Sequence, residues 1–181
     1  MRVITGKYKG RHFDIPRTFK ARPTTDFAKE NIFNVLNGYI DFEGLSALDL
    51  FAGTGSITLE MLSRGCCDVT SVEQDRDHAS FIRQCLQKIG EENCSLIRGD
   101  VFRFLKNCRR KYNLVFADPP YALPELGKIP DAVLGTCDED SVLEKDGIFV
   151  FEHGKRDDFS QHPCFLEHRS YGSVNFSLFR R

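Results

Sequence analysis

From residue 46 onward, short apolar runs alternate with segments whose apolar positions recur at helical spacing. Ala47-Leu48-Asp49-Leu50-Phe51 is followed by Gly53-Thr54-Gly55 and a helical segment ending at Gly65. Val69-Thr70-Ser71-Val72-Glu73 leads into a helical face of Phe81, Ile82, Cys85, Leu86 and Ile89, stopped by Gly90. Ser95-Leu96-Ile97-Arg98 precedes a short helix carrying Val101, Phe102, Phe104 and Leu105. Asn113-Leu114-Val115-Phe116-Ala117 connects through a helix around Ala132-Val133-Leu134 to Gly147-Ile148-Phe149-Val150-Phe151. Strands alternating with helices predict an α/β fold, with a mostly parallel sheet covered on both faces and right-handed crossovers.

The two ends break the alternation. Residues 2–5 and 11–15 are β-type runs flanking Gly6-Lys7-Tyr8-Lys9-Gly10, which predicts an N-terminal hairpin extension with a basic tip. Pro16 and Pro23 punctuate a loop; Thr24, Thr25 and Asp26 are candidate N-caps of a helix carrying Ala28, Ile32, Val35, Leu36 and Tyr39. Residues 165–169 and 174–179 flank Tyr171-Gly172-Ser173, predicting a closing hairpin and hence an antiparallel C-terminal edge. No linker or repeat splits the chain, so residues 1–181 are expected to form one domain with 1–25 as its arm.

Composition narrows the class. At 181 residues, with 41% hydrophobic and 28% charged, the chain can bury a sizeable core without disulfides or metal. No run of about 18 apolar residues exists, so no membrane partner is expected. No apolar stretch follows Met1, so a secretory leader is not expected and a cytoplasmic location is. Seven cysteines, an odd number with no C-x-x-C spacing, argue against a disulfide framework or a zinc ribbon. They read as small hydrophobes, and no metal is expected. Charge is distributed unevenly: Arg2, Lys7, Lys9, Arg11, Arg17, Lys20 and Arg22 stand against Asp14 alone within residues 1–25, a net of +6 in a chain of net −1. A basic arm on an acidic body suits a polyanion; a solvated terminus reads equally well from charge alone.

Two segments carry chemistry. Asp49-Leu50-Phe51-Ala52-Gly53-Thr54-Gly55 falls at the carboxyl end of a strand, where open α/β sheets bind ligands. Its glycines let backbone approach a ligand closely, and Glu73, 20 residues beyond Gly53, is placed to accept both ribose hydroxyls. Thr58 stands near where the dinucleotide fingerprint has its third glycine. Asp118-Pro119-Pro120-Tyr121 follows the fourth strand of the alternating region directly. An aspartate acceptor, rigid proline carbonyls and an aromatic ring make a slot for a flat ring bearing an exocyclic NH₂.

In that order, with Val72-Glu73 and Gly99-Asp100 between them, these motifs resemble class I S-adenosylmethionine-dependent methyltransferases that modify exocyclic amines. Residues 2–11, Arg22-Pro23-Thr24-Thr25-Asp26 and Leu62-Ser63-Arg64-Gly65 are similar to the bacterial RsmD-like family, which methylates guanine N2 in 16S ribosomal RNA. The resemblance implies a Rossmann-like sheet and S-adenosylmethionine as cofactor. Asp49, Gly53 and Gly55 would line its methionine part, and Phe51, Ala52, Thr54, Gln74 and Asp118 would also bind the cofactor. Glu73 would take the ribose, Asp100 and Val101 the adenine. Asp118, Pro119, Pro120 and Tyr121 would be catalytic. Arg2, Lys7, Lys9, Arg11 and Arg22 would meet ribosomal RNA or an assembling small subunit. An ordinary aspartate, with a pKa of about 3.9, is too weak a base to take the amine's proton before attack, so positioning is the expected role. Adenine-N6 methylation of DNA or RNA shares the Asp-Pro-Pro-Tyr slot. A nucleoside-binding module or dehydrogenase shares the glycine turn.

Overall fold

The computed structural model describes residues 1–19, 25–135 and 140–181. Among these, seven strands form one sheet: β1 (Ser46–Leu50), β2 (Asp68–Glu73), β3 (Cys94–Arg98), β4 (Tyr112–Ala117), β5 (Leu143–His153), β6 (Phe165–Tyr171) and β7 (Val174–Arg180). Their spatial order is β3-β2-β1-β4-β5-β7-β6. The first five are parallel, and β7 runs antiparallel between β5 and β6, as expected for the closing hairpin.

Both faces of the central strands are covered, so β4 and the second half of β5 read as apolar runs. Ile148 and Val150 of β5 face α1 (Asp26–Leu36), α2 (Ser56–Arg64) and α3 (Arg76–Ile89). Phe149 and Phe151 face α4 (Val101–Asn107) and α5 (Ile129–Leu134). Phe33, Phe116 and Phe176 are fully buried and pack ring on ring on the first face; each contributes roughly 1.5–3 kcal/mol by leaving water.

Two element boundaries differ from the pattern. Tyr39 lies beyond α1, because the Asn37 N–H donates to the Phe33 carbonyl and the Gly38 N–H to that of Val35, closing the helix. β5 starts at Leu143 rather than Gly147: Tyr112 pairs with Leu143, then an irregularity intervenes before Leu114 pairs with Ile148. Polar Glu144-Lys145-Asp146, with Asp146 at φ 63°, hides that first pair from an apolar pattern.

The N-terminal hairpin is shorter than expected and is not a free arm. A single antiparallel bridge, Arg2 to His12, joins its two sides, with Val3 N–H donating to Arg11 and Phe13 N–H to Met1. The tip is docked on the end of α2. Lys7 N–H donates to the Ser63 carbonyl at 2.8 Å and Tyr8 N–H to Ser63 Oγ at 2.9 Å. A Cβ on Gly6, at φ 88°, would fall 1.7 Å from the Ser63 carbonyl oxygen, so only glycine permits this approach.

A buried charge cluster holds the docked segment. Glu60 accepts from Ile4 N–H at 2.8 Å, Thr5 N–H at 3.0 Å and Arg64 Nε at 2.9 Å. Lys29, 1% exposed, donates to the Arg2 carbonyl and to Ser56 Oγ, with Glu60 at 3.6 Å. Burial pushes the Lys29 pKa down and the Glu60 charge opposes that.

Burial also raises the Cys66 thiol to about 12 and those of Cys85 and Cys94 to about 11, leaving all three as protonated apolar groups. Cys137 lies outside the described residues. No helix among the described residues is long and apolar enough to cross a membrane.

Removing one partner of a buried ion pair leaves an uncompensated charge, at a cost of about 3–5 kcal/mol. Glu60→Ala should lower urea-unfolding stability by about that much and expose residues 1–19 to limited proteolysis. A loss below about 1 kcal/mol with an intact N-terminus would show that the cluster does not hold the segment.

Candidate active site

β1 pairs with β2 on one side and β4 on the other, and the chain leaves these neighbours toward opposite faces of the sheet. A crevice therefore opens outside the carboxyl ends of β1 and β4. The turn after β1 holds three residues at positive φ: Phe51 at 62°, Gly53 at 54° and Gly55 at 76°. The two glycines serve different purposes. A Cβ on Gly53 would meet nothing nearer than the Phe51 carbonyl oxygen at 3.8 Å, so its bare backbone faces open space. A Cβ on Gly55 would lie 2.9 Å from Ile82 of α3, so that glycine seats α2 against its neighbour. Phe51, a bulky residue in the left-handed region, stores about 1–3 kcal/mol of strain beside the crevice.

Glu73 ends β2, 8% exposed, with its carboxylate fixed by two backbone donors. Gly53 N–H reaches Oε2 at 2.7 Å and Asp75 N–H reaches Oε1 at 2.7 Å. Each oxygen keeps a lone pair for a further donor. Gln74 beside it is exposed, while Ala52 and Thr54 are buried in the turn. Asp100 is exposed at the end of β3, but its Oδ1 accepts Arg103 N–H at 2.8 Å as the N-cap of α4; Val101 is buried beneath it.

Asp49 departs from its expected place. It is 1% exposed and sits behind the turn, where Oδ2 accepts both Thr58 N–H at 2.9 Å and the Thr58 hydroxyl. The Thr58 hydroxyl in turn contacts Ser71 Oγ of β2 at 2.6 Å. Thr58 thus fastens the first turn of α2 to β1 and β2, a task a glycine lacks the atoms for. Desolvation, reinforced by the charges of Asp118 and Glu73, raises the Asp49 pKa to about 7. β1 lies between β2 and β4, so Glu73 at the end of β2 and Asp118 just after β4 stand on either side of the β1 turn.

Asp118 follows β4, half-buried, with its N–H 3.4 Å from the Leu50 carbonyl of β1. Pro119 is buried and Pro120 exposed. The Pro120 carbonyl accepts Leu123 N–H at 2.9 Å, so this oxygen, one of the rigid carbonyls expected to line the slot, closes a local turn. Tyr121 is 45% exposed, and its hydroxyl donates to Glu152 Oε1 at 2.8 Å. Glu152, 5% exposed on β5, carried no signal in the sequence; only the β4–β5 pairing brings it to Tyr121.

The basic residues of the N-terminal segment are spread unevenly. Arg2 pairs with Asp26 at 3.2 Å and Lys7 with Glu91 at 2.8 Å, so carboxylates of the body already compensate both. Lys9 and Arg11 are exposed. Arg22, with Lys20, Pro23 and Thr24, lies outside the described residues.

The family described as Conserved hypothetical protein 95 matches residues 1–180. The chain belongs to that family. The putative rRNA methyltransferase YlbH of Bacillus subtilis is 36% identical over 159 residues, covering 86% of this chain and 83% of YlbH. Ribosomal RNA small subunit methyltransferase D of Escherichia coli is 34% identical over 121 residues, covering 67% of this chain and 60% of the relative. The solved structure of the putative methyltransferase yhhF from Escherichia coli superposes with a TM-score of 0.85 at 26% identity, covering 100% of this chain and 97% of the other. The Conserved hypothetical protein 95 chain is an RsmD-like methyltransferase of class I fold, as its motifs implied.

Two outcomes follow from the geometry. A buried carboxyl whose pKa rises on folding destabilises the fold once it ionises. Stability from neutral Asp49 is complete below its unfolded pKa near 3.8 and fades as pH rises through about 7. Relative to Asp49→Asn, the parent should therefore lose stability between pH 4 and 7, by up to about 1.4 kcal/mol per unit, and level off above. Parallel pH profiles for the two proteins would mean that Asp49 is not strained by burial. Glu152→Ala, which removes the acceptor of the Tyr121 hydroxyl, should lower kcat more than it raises the KM of the methyl donor, and Glu152→Gln, which still accepts, should recover much of the loss. Equal effects of the two substitutions would remove the tether.

Proposed function

We propose that this chain transfers a methyl group from S-adenosylmethionine to the exocyclic N2 amine of a guanine in small-subunit ribosomal RNA. The observation that carries this reading is the meeting of the Asp118-Pro119-Pro120-Tyr121 slot after β4 and the Gly53–Glu73 pair after β1 and β2 at the carboxyl ends of neighbouring strands, in a chain of the RsmD-like family. The crevice fits the methyl donor: Gly53 offers bare backbone, Glu73 presents two fixed oxygens, and the Glu73 and Asp118 carboxylates suit a cationic sulfonium. When bound, S-adenosylmethionine supplies an already activated methyl electrophile. Glu73 would hold the ribose hydroxyls, Val101 the adenine face, and Asp100 the adenine amine through the oxygen that does not cap α4. Asp49 acts from behind by fixing the turn.

An exocyclic purine amine has its lone pair delocalised into the ring and attacks poorly, so the chain's task is orientation. Asp118 accepts one N–H and stabilises the positive charge that develops on nitrogen. Tyr121, steadied by Glu152, stacks on the base, which must leave its own stack to enter the slot. Lys9 and Arg11 contact phosphates and position the RNA without reading its bases. The names of the relatives support ribosomal RNA of the small subunit as the substrate, naked or within an assembling particle. A cytoplasmic location follows from that substrate.

Incubation with unmethylated small-subunit particles and labelled methyl donor should yield N2-methylguanosine. Asp118→Ala should cut turnover by about a hundredfold or more while changing donor affinity less than Glu73→Ala does. Label in N6-methyladenosine, or in DNA alone, would overturn the guanine assignment and leave methyl transfer standing.

A further inference from the structure

Phe27 is the most exposed large apolar side chain among the described residues, at 65%. The helix that carries it turns Ala28, Ile32 and Leu36 inward, so the Phe27 ring is left on the outer side of its first turn. It stands edge-on to Tyr171, with ring centroids 6.2 Å apart and an interplanar angle of 88°. Tyr171 is half-buried at the end of β6 and backed by Phe176 at 6.2 Å, so one ring of the pair is anchored in the core and the other projects into water.

The pair sits beside the slot. Tyr171 pairs with Val174, Glu152 with Phe176 and His153 with Asn175, which places Tyr171 at the same sheet edge as the anchor of Tyr121. Phe176 and Tyr171 pack into the core on the face that α1 covers. Only β7 separates β5 from β6, so about 10 Å of sheet lies between the strand of Glu152, which holds Tyr121, and the strand of Tyr171. Cations lie along this span, two of them already paired: Arg2 with Asp26, the residue before Phe27, and Arg169, two before Tyr171, with Glu167 at 2.6 Å. Lys155 and Arg156 are exposed just after Gly154, where a Cβ would lie 3.9 Å from the Tyr121 ring.

We infer that Phe27 and Tyr171 form a stacking platform for an unpaired base of the substrate RNA, close along the strand to the nucleotide whose base enters the Asp118–Tyr121 slot. The inference rests on the RNA substrate proposed above. Aromatic rings flanked by cations are the usual platform for single-stranded nucleic acid, and stacking tolerates any base because each has a π-face. A base flipped toward Asp118 unstacks its neighbours, and the platform gives one of them a new surface. Phe27 donates no hydrogen bond, so it holds without reading sequence.

The test uses unmethylated small-subunit particles over a series of salt concentrations. Phe27→Ala, an exposed change that leaves the core intact, should weaken particle binding about tenfold. The slope of log affinity against log salt should stay as in the parent, since no phosphate contact is lost. Phe27→Tyr, which keeps the ring, should bind close to the parent. Benzoylphenylalanine placed at position 27 should cross-link to RNA on irradiation. Parent-like binding by Phe27→Ala overturns the platform, as does a cross-link confined to ribosomal protein. If the parent itself places no label in RNA, the proposed function fails and the platform with it; label in the parent's RNA with parent-like Phe27→Ala binding sinks the platform alone.

Discussion

Glu73 accepting the Gly53 N–H is the contact on which the crevice depends. It ties the end of β2 to the turn after β1, across a sequence separation of 20 residues, at 2.7 Å. The turn needs such a tie because it carries three positive-φ residues in five, one of them Phe51. Left alone, that backbone would relax toward commoner conformations. The second Glu73 oxygen, on Asp75 N–H, sets the carboxylate's orientation against the start of α3. A group that would recognise a ribose is therefore also a structural strut, and its orientation is settled before any ligand arrives.

Behind the turn, a layer of buried polar groups does the fastening. Asp49, Thr58 and Ser71 join β1, α2 and β2 through short hydrogen bonds. Ser56, at the first residue of α2, accepts from Lys29, which also holds the Arg2 carbonyl. A chain of contacts thus runs from the turn after β1 to the N-terminal segment proposed to meet RNA. Burying these charges is costly in isolation, and the cluster persists because Glu60 compensates Lys29 and Arg64 while accepting two backbone N–H groups.

The alternation of apolar runs with Gly-terminated helices was enough to read the parallel sheet, because β4 and the second half of β5, covered on both faces, are apolar runs. The β1 turn, Glu73 and Asp118-Pro119-Pro120-Tyr121 were legible because each follows a strand at its carboxyl end. Three things were not. Glu152 meets Tyr121 from 31 residues away, a proximity created by strand pairing alone. The basic segment read as an arm because summed charge carries no information about Glu91 or Asp26, which neutralise Lys7 and Arg2. Asp49 read as a ligand contact because a strand-end aspartate before a glycine turn looks the same whether it faces the crevice or the core. Its inward position depends on Thr58, where the sequence showed only a missing glycine.

The activity proposed for this crevice is methylation of a guanine amine in small-subunit RNA. The most direct measurement is mass mapping of modified nucleosides in that RNA from cells with and without the chain. Loss of a single N2-methylguanosine, restored by the parent protein and not by Asp118→Ala, is the result the crevice predicts. An unchanged N2-methylguanosine content in cells lacking the chain would contradict it.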